Sequence, residues 1–350
     1  MNFNLTYKFP RQSVATVERG EKFQMITPHK LLFTICAFLL IYKYCSITPK
    51  VVTIIAHPEF NLLGPYNTTE IFVEDTYNQL IDIKDFAFIV NPPVCEEYPA
   101  GLLMMVIVSS NPANFGNRMV IRGTWGKNID TMKVVFLVGE TENATMANQI
   151  SSEIDEFGDI VQGTFTDAYR NMTYKHVMGL KWVVHHCPRA KYVLKTDDDV
   201  LVYSGELRRF VAKELSPWGA RDLIACQVIQ KAVVQRVNSS KWKVTKEEYP
   251  SKYYPTYCSG WAVLYSLDVV SRLLTAAQTT PYYWIDDVHI TGTLAQKIGV
   301  SHTSFSSFVL NEVKDKILKM IDSNYVAQYM FGPPDLSIDK IMDLWESVPE

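Results

Sequence analysis

Residues 192–203 read Tyr192-Val193-Leu194-Lys195-Thr196-Asp197-Asp198-Asp199-Val200-Leu201-Val202-Tyr203, three consecutive carboxylates set between two apolar, β-prone runs. Side chains alternate faces along an extended chain, so Lys195, Asp197 and Asp199 share one face while Thr196 and Asp198 point to the other. Two carboxylates therefore converge where a strand ends. Crowded carboxylates beside a core are costly without a cation. Hard divalent ions such as Mg²⁺ or Mn²⁺ favour oxygen ligands and let substrate phosphates complete the shell. A nucleoside-diphosphate substrate fits that description. The rival reading is a solvated acidic turn, against which stand the apolar flanks Val193, Leu194, Val200, Leu201 and Val202. An EF-hand is excluded, because the alternate acidic positions, the glycine and the closing glutamate are absent.

Outward from this stretch the pattern is α/β. A continuous apolar run at 102–108 reads as a strand buried on both faces, which implies a parallel sheet. A second run at 134–138 follows a segment, 117–126, that can form a helix, giving a strand, helix, strand unit. Tyr174, Met178 and Trp182 recur at helical spacing and deliver the chain to the strand that carries the aspartates. In open α/β sheets ligands bind beyond the carboxyl ends of the strands, which is where Asp197, Asp198 and Asp199 fall. No internal repeat, dinucleotide-binding glycine motif or phosphate-binding Walker loop is present.

The chain has 350 residues, 47% of them hydrophobic, and a net charge of −3. It can bury a large core and has no bulk attraction to nucleic acid. An uncharged apolar run at 31–42 stands in front, short for a spanning helix but extendable to 47 by snorkelling of Lys30 and Lys43. A signal-peptide core is the competing reading; the absence of a good cleavage site and the length of the preceding tail favour an uncleaved anchor. Lys8, Arg11, Arg19, Lys22 and Lys30 precede the run, so the positive-inside rule puts the N-terminus in the cytosol and the body in the lumen. Asn67, Asn143, Asn171 and Asn238 each open an acceptor triplet for N-glycosylation. Cys95, Cys187, Cys226 and Cys258 form an even lumenal set with three possible pairings. The expected organisation is a cytoplasmic tail at 1–30, a transmembrane anchor at 31–47, a proline-punctuated lumenal stem at 48–96 and one catalytic domain at 97–320. An extension at 321–350 is expected to wrap the surface.

Three further segments carry candidate chemistry. Arg118 and Arg122 lie four apart on one helical face that suits diphosphates, unless the helix is a surface element with Trp125 as core. The aromatic stretch Tyr253-Tyr254-Pro255-Thr256-Tyr257-Cys258-Ser259-Gly260 could line a substrate pocket or simply pack. Asp286 and Asp287 repeat the theme of paired carboxylates between apolar residues, in an acid/base role or as a helix cap.

Four segments of the chain, in order, resemble the β-1,3-galactosyltransferase and β-1,3-N-acetylglucosaminyltransferase family of inverting Golgi type II enzymes. Members typically read Arg-x-Ala-Ile-Arg-x-Thr-Trp-Gly, matched at 118–126 with Val120 for Ala. They continue with Phe-x-Asp-x-Tyr-x-Asn-Leu-Thr-x-Lys, matched by Phe165, Asp167, Tyr169, Asn171, Thr173 and Lys175. Lys-Thr-Asp-Asp-Asp-Val is matched in full from Lys195 to Val200. Tyr-Cys-Ser-Gly and Glu-Asp-Val are matched by Tyr257 to Gly260 and by Asp287-Val288, with Asp286 in the Glu position. The resemblance covers about residues 100–300. It departs at Trp261, where small residues are usual and the acceptor side would be reshaped, and at His289, where Tyr is usual.

The resemblance implies a GT-A-like, Rossmann-type mixed sheet flanked by helices. It also implies transfer of a hexose, galactose or an N-acetylhexosamine, from a UDP-sugar to a glycan hydroxyl on glycoprotein or glycolipid, with inversion. Mn²⁺ is then expected on Asp197 and Asp199, most directly Asp199, and Asp287 is expected as general base. Arg118, Arg122, Asp167, Lys195, Asp197 and Asp198 are donor-side candidates. His289 and His302 are minor candidates for a third metal ligand. Two other classes remain: a catalytically inactive relative that binds glycans or assists a partner enzyme in the Golgi, and a metal-dependent hydrolase of nucleotide sugars.

Overall fold

The six residues Met104–Ser109 (β3) are buried without exception, the all-round apolar signature of a central strand. A computed structural model describes residues 61–65, 76–98, 100–127, 129–313, 316, 320 and 329–347. The expected tail and anchor lie outside these residues. Among the described residues, no helix is long and apolar enough to cross a membrane.

Four strands form the parallel half of the sheet: β3, Met132–Glu140 (β4), Ile160–Thr166 (β5) and Tyr192–Asp197 (β6). Helices Phe115–Gly123 (α1) and Ala144–Phe157 (α2) connect the first three, and Met172–His186 (α3) leads into β6. Beyond β6 come the antiparallel Tyr257–Ser266 (β9), then Ile224–Ile229 (β8) and His302–Ser304 (β10). The full order is β10-β8-β9-β6-β3-β4-β5-β2, where β2 is Phe88–Val90 at the far edge, antiparallel to β5. The sheet is therefore mixed. A two-stranded ladder of Asn61–Leu62 (β1) and Ala220–Arg221 (β7) stands apart from it.

Local chemistry sets the helix ends. Asn143 caps α2, its side chain accepting from the Met146 amide at 3.1 Å, and Gly158 closes the helix at φ 61°. Helix α3 is buried on nearly every side because it lies on the sheet and also meets Leu267–Gln278 (α4). Disulfides join Cys95 to Cys187 and Cys226 to Cys258, choosing one of the three pairings that the sequence left open.

Two domain limits need correction. The stem was expected to reach residue 96, yet Leu80, Ile81 and Phe86 belong to the core and Phe88–Val90 is a strand of the main sheet. A three-residue edge strand next to two prolines is too short to show a period. The C-terminal stretch was expected on the surface, yet Phe331 is fully buried. The Met330 carbonyl accepts from the Tyr203 amide at 2.9 Å, and the Gly332 amide donates to Leu201 at 2.8 Å. The chain end is thereby stitched to the segment just after the three aspartates.

Candidate active site

Strands β3 and β6 run in register, with Ser109 opposite Asp197, so the aspartates emerge at the carboxyl end of the parallel sheet. As alternation required, Lys195 and Asp197 share a face: Lys195 Nζ donates to Asp197 Oδ1 at 2.6 Å and to the Gly260 carbonyl at 2.7 Å. The same ammonium lies 4.0 Å from Asp286 Oδ2. Lys195, 1% exposed, thus ties together the two acidic motifs. Burial pushes its pKa down, but Asp197 and Asp286 more than offset that, and it stays charged.

Asp286 and Asp287 are adjacent carboxyls with opposite acidities. Burial alone would raise Asp286; a 3.0 Å hydrogen bond from His176 Nδ1 and the Lys195 charge hold it below the ordinary carboxylate range. Burial keeps His176 neutral, so one nitrogen donates to Asp286 and Nε2 accepts from the Tyr265 hydroxyl at 3.3 Å. Asp287 is pushed up to about 7, by burial first and then by the charge of Asp286. Its Oδ1 accepts from the Val288 amide at 2.7 Å, capping the π-helical segment Val288–Leu294. The cap and acid/base readings therefore describe one residue. Gly260 leaves room for it, since a Cβ there would lie 3.0 Å from the Asp287 Cβ.

Asp199 is pushed up to about 6 by burial and by the charges of Asp197, Asp198 and Asp335. Among the described residues, no three His, Cys, Asp or Glu side chains are grouped to hold a metal. Asp197 and Asp199 nevertheless fit a hard divalent cation. Their donors are carboxylate oxygens, their mutual repulsion is what a cation relieves, and such ions bind through one or two carboxylates plus substrate phosphates. His302 Nε2 meets the Thr291 carbonyl, and His289 is buried with Nε2 lacking a partner among the described residues. Neither joins the aspartates in a metal-holding group.

Four donor-side expectations are corrected. Arg118 is fully buried and spends all five guanidinium hydrogens inside the fold: on both Glu153 oxygens, on Ser110 Oγ and on the Asn111 and Pro112 carbonyls. Arg122 bonds both oxygens of Asp159 at 2.8 and 2.7 Å, reaches Glu153 at 2.8 Å and lies over the Phe157 ring. The shared helical face is real, but α2 occupies it. Asp167 accepts from the Gly139 amide at 2.6 Å and pairs with buried Lys175 at 2.9 Å. Asp198 is 7% exposed and accepts from Ser110 Oγ at 2.6 Å and Asn114 Nδ2 at 3.0 Å, locking the β3–α1 loop to the aspartate turn. These residues position the site from behind.

Trp261 packs edge-on against Phe305 and Phe331 and donates from Nε1 to Gln227 at 2.9 Å, so it fills core beneath the C-terminal stretch. The aromatic stretch packs: Tyr254 joins Trp284, Ile285 and Val288 in a second small core, with Tyr257 against it. Sequence reading missed His176 and Glu153. His176 sits on the sheet-facing side of α3 one residue past the recognisable motif, and Glu153 lies in a helix with no other signal.

A family model described as Galactosyltransferase matches residues 116–306. Beta-1,3-galactosyltransferase 5 of Pan troglodytes is 34% identical over 212 residues, covering 59% of this chain and 70% of that protein. An acetylgalactosaminyl-O-glycosyl-glycoprotein beta-1,3-N-acetylglucosaminyltransferase of Mus musculus is 34% identical over 223 residues, 61% of this chain and 56% of that protein. A solved galactosyltransferase in complex with donor and acceptor sugar analogues aligns at TM-score 0.36 and 11% identity over 71% of this chain and 98% of its own.

Proposed function

The chain belongs to the galactosyltransferase family, and from that premise we propose an inverting transfer of a hexose from a UDP-sugar to a glycan hydroxyl, forming a β-1,3 linkage. The enzyme is a hexosyltransferase; galactose or an N-acetylhexosamine is the sugar that its relatives' names support. The observation that carries the mechanism is the Asp286–Asp287 pair: one carboxyl held ionised, its neighbour raised to about 7. A base with a pKa near the working pH combines correct protonation with driving force.

In this reading Asp287 takes the acceptor proton on Oδ2, since Oδ1 is engaged by the Val288 amide. Asp286, fixed by His176 and Lys195, keeps its charge beside Asp287 and so maintains its basicity. Asp197 and Asp199 would hold Mn²⁺ against the diphosphate. When bound, the ion neutralises charge on the departing UDP. Displacement by the acceptor oxygen in one step needs no protein nucleophile, and inversion follows from attack opposite the leaving group. The mixed sheet flanked by helices supports a GT-A-like fold.

Two disulfides and the exposed sequon at Asn238 support a body in an oxidising lumenal compartment, and the apolar run at 31–47 with its preceding basic residues is the reason to propose a single-pass type II anchor in the Golgi. Protease protection of the body in sealed microsomes tests that topology, and digestion without detergent would refute it. For the chemistry, the full chain is assayed with a panel of UDP-sugars and simple β-glycosides, with Mn²⁺ or EDTA. Transfer from one donor, abolished by EDTA and by Asp199→Ala, is the expected result. Absence of turnover with every donor would return the chain to the glycan-binding reading.

A further inference from the structure

The connection between β8 and β9 carries charge that the reaction so far leaves unused. From 231 to 252 the cations Lys231, Arg236, Lys241, Lys243, Lys246 and Lys252 stand against only Glu247 and Glu248, in a chain of net charge −3. All five of these lysines are exposed, and Glu248 is paired with Arg170 at 2.9 Å. The result is a basic surface on a mildly acidic protein.

Runs of like charge are usually solvated and mobile, but this one is built on a frame. Val233 pairs with Tyr253, the Val234 amide donates to the Lys252 carbonyl at 3.0 Å, and the Tyr254 amide donates to Ala232 at 3.0 Å, closing the segment as a hairpin. Arg236 turns inward and staples the hairpin, donating to the carbonyls of Val244, Thr245, Tyr249 and Ser251 at 2.5–3.0 Å. Two lysines rest on rings: Lys241 lies 4.6 Å over Trp242 and Lys252 lies 5.1 Å over Tyr253. Those rings are covered by the protein's own ammonium groups, so what the hairpin offers outward is positioned charge.

The frame is fastened next to the acid pair. Val234, Val244 and Tyr254 share the second small core with Trp284, Ile285 and Val288, and Ile285 and Val288 are the chain neighbours of Asp286 and Asp287. The Tyr254 and Tyr283 hydroxyls meet at 3.0 Å. Arg170, which holds Glu248, also lies 4.5 Å over the Trp284 ring. Lys243 directly precedes Val244, which is fully buried in that core. A lipid surface would also answer to basic charge, but fastening to the flanks of Asp286 and Asp287 favours a ligand that extends to the reaction centre.

We propose that the 231–252 hairpin is a docking surface for an anionic glycan: the acceptor is a sulfated or carboxylated oligosaccharide whose inner sugars lie along these lysines while its terminal sugar reaches Asp287. The proposal rests on the transferase reading above and names the acceptor class. Preorganised lysines lose little freedom on meeting such a chain, and the attraction is screened by salt.

The test uses the full chain carrying Lys241→Gln, Lys243→Gln and Lys246→Gln together. Its control carries Lys84→Gln, Lys127→Gln and Lys213→Gln, exposed lysines outside the hairpin, so that net charge changes equally. Probes are β-galactosyl- and β-N-acetylglucosaminyl-terminated tetrasaccharides, each neutral and sulfated on its inner sugars. The parent should show a lower acceptor KM for a sulfated probe than for its neutral form. The hairpin variant should raise the sulfated KM about tenfold, the scale of several exposed charge contacts, and leave the neutral KM within about twofold. The control should change neither. Calorimetric titration with the same probes reads binding without turnover, and the sulfated advantage should vanish at high salt. Binding of a sulfated probe by the parent, lost in the hairpin variant, sustains the surface even if transfer is absent, in which case only the transferase reading falls. Transfer with no sulfated advantage, or with an advantage that survives in the hairpin variant, overturns the surface and leaves the transferase standing. Hairpin-dependent binding to phosphatidylserine vesicles without a sulfated advantage overturns it in favour of a membrane contact. Neither transfer nor binding by the parent overturns both readings.

Discussion

The guanidinium groups of Arg118 and Arg122 meet the carboxylates of Glu153 and Asp159, two cations against two anions, with the donors of Arg118 fully spent. In the other cluster Lys195 meets Asp197 and Asp286, with Asp287 next to Asp286, Asp199 next to the charge of Asp197 and His176 neutral beside Asp286. Both clusters are buried or half-buried, and both were candidates for substrate contact by residue type. The balanced one is architecture: against the cost of burial, the two arginines hold the Glu153 carboxyl below the usual carboxylate pKa range, so it stays ionised. The unbalanced one is where Asp199 and Asp287 are both driven upward. A buried charge cluster that closes its own account holds elements together, and one left with excess charge is poised to receive a cation or a proton.

The sharpest way to break this contrast is Asp287→Asn. Loss of the base should lower transfer by about 10²–10⁴-fold. The thermal unfolding midpoint should stay at or above that of the parent, because the substitution removes a carboxyl whose charged form the fold disfavours. Retention of more than a tenth of the activity would remove Asp287 from the role.

Arg118→Met probes the other cluster and should do the reverse. Glu153 would remain buried with one partner gone, a change that typically costs about 3–5 kcal/mol. The expected outcome is a marked fall in denaturation midpoint while acceptor and donor KM of the folded protein stay near parental. A raised donor KM at unchanged stability would mean that Arg118 touches the nucleotide after all.

Much of this was visible in the chain. The apolar runs at 102–108 and 134–138, the helical spacing of Tyr174, Met178 and Trp182, and the shared face of Lys195 and Asp197 appear where they were expected, although the strand ends at Asp197 and Asp199 falls in the turn beyond it. What periodicity could not supply was the partner on the other side. The i, i+4 spacing of Arg118 and Arg122 correctly put both on one face, but only the packing of α2 against α1 says that Glu153 waits there. Likewise nothing local marks His176 as the support of Asp286, 110 residues away. Short elements were lost for a different reason: Phe88–Val90 and His302–Ser304 are three residues each, below the length at which alternation can be told from chance.

Gly260→Ala tests how tightly the unbalanced cluster is held. The added methyl would sit 3.0 Å from the Asp287 Cβ, and the Gly260 carbonyl is also a Lys195 partner, so relief must come from the site itself. Displacement by a fraction of an ångström should lower kcat about tenfold with a smaller change in donor KM. An unchanged kcat would mean that Asp287 has slack that the geometry does not suggest.

The smallest and most specific effect concerns pH. The base must be deprotonated to accept the acceptor's proton, so kcat/KM should fall on the acid side of about pH 7, where Asp287 titrates. Asp286 raises that value because a second negative charge beside Asp287 disfavours its ionisation, whereas Lys195 works in the opposite direction. Asp286→Asn removes the charge and keeps an oxygen for the His176 donor, so the acid limb should move to lower pH, by about one unit for neighbouring carboxyls. Arg122→Lys, a substitution in the balanced cluster, should leave the limb where it is. A limb that stays put in Asp286→Asn, or moves upward, would show that burial alone sets the basicity of Asp287. The excess of charge that distinguishes the two clusters would then be incidental to catalysis.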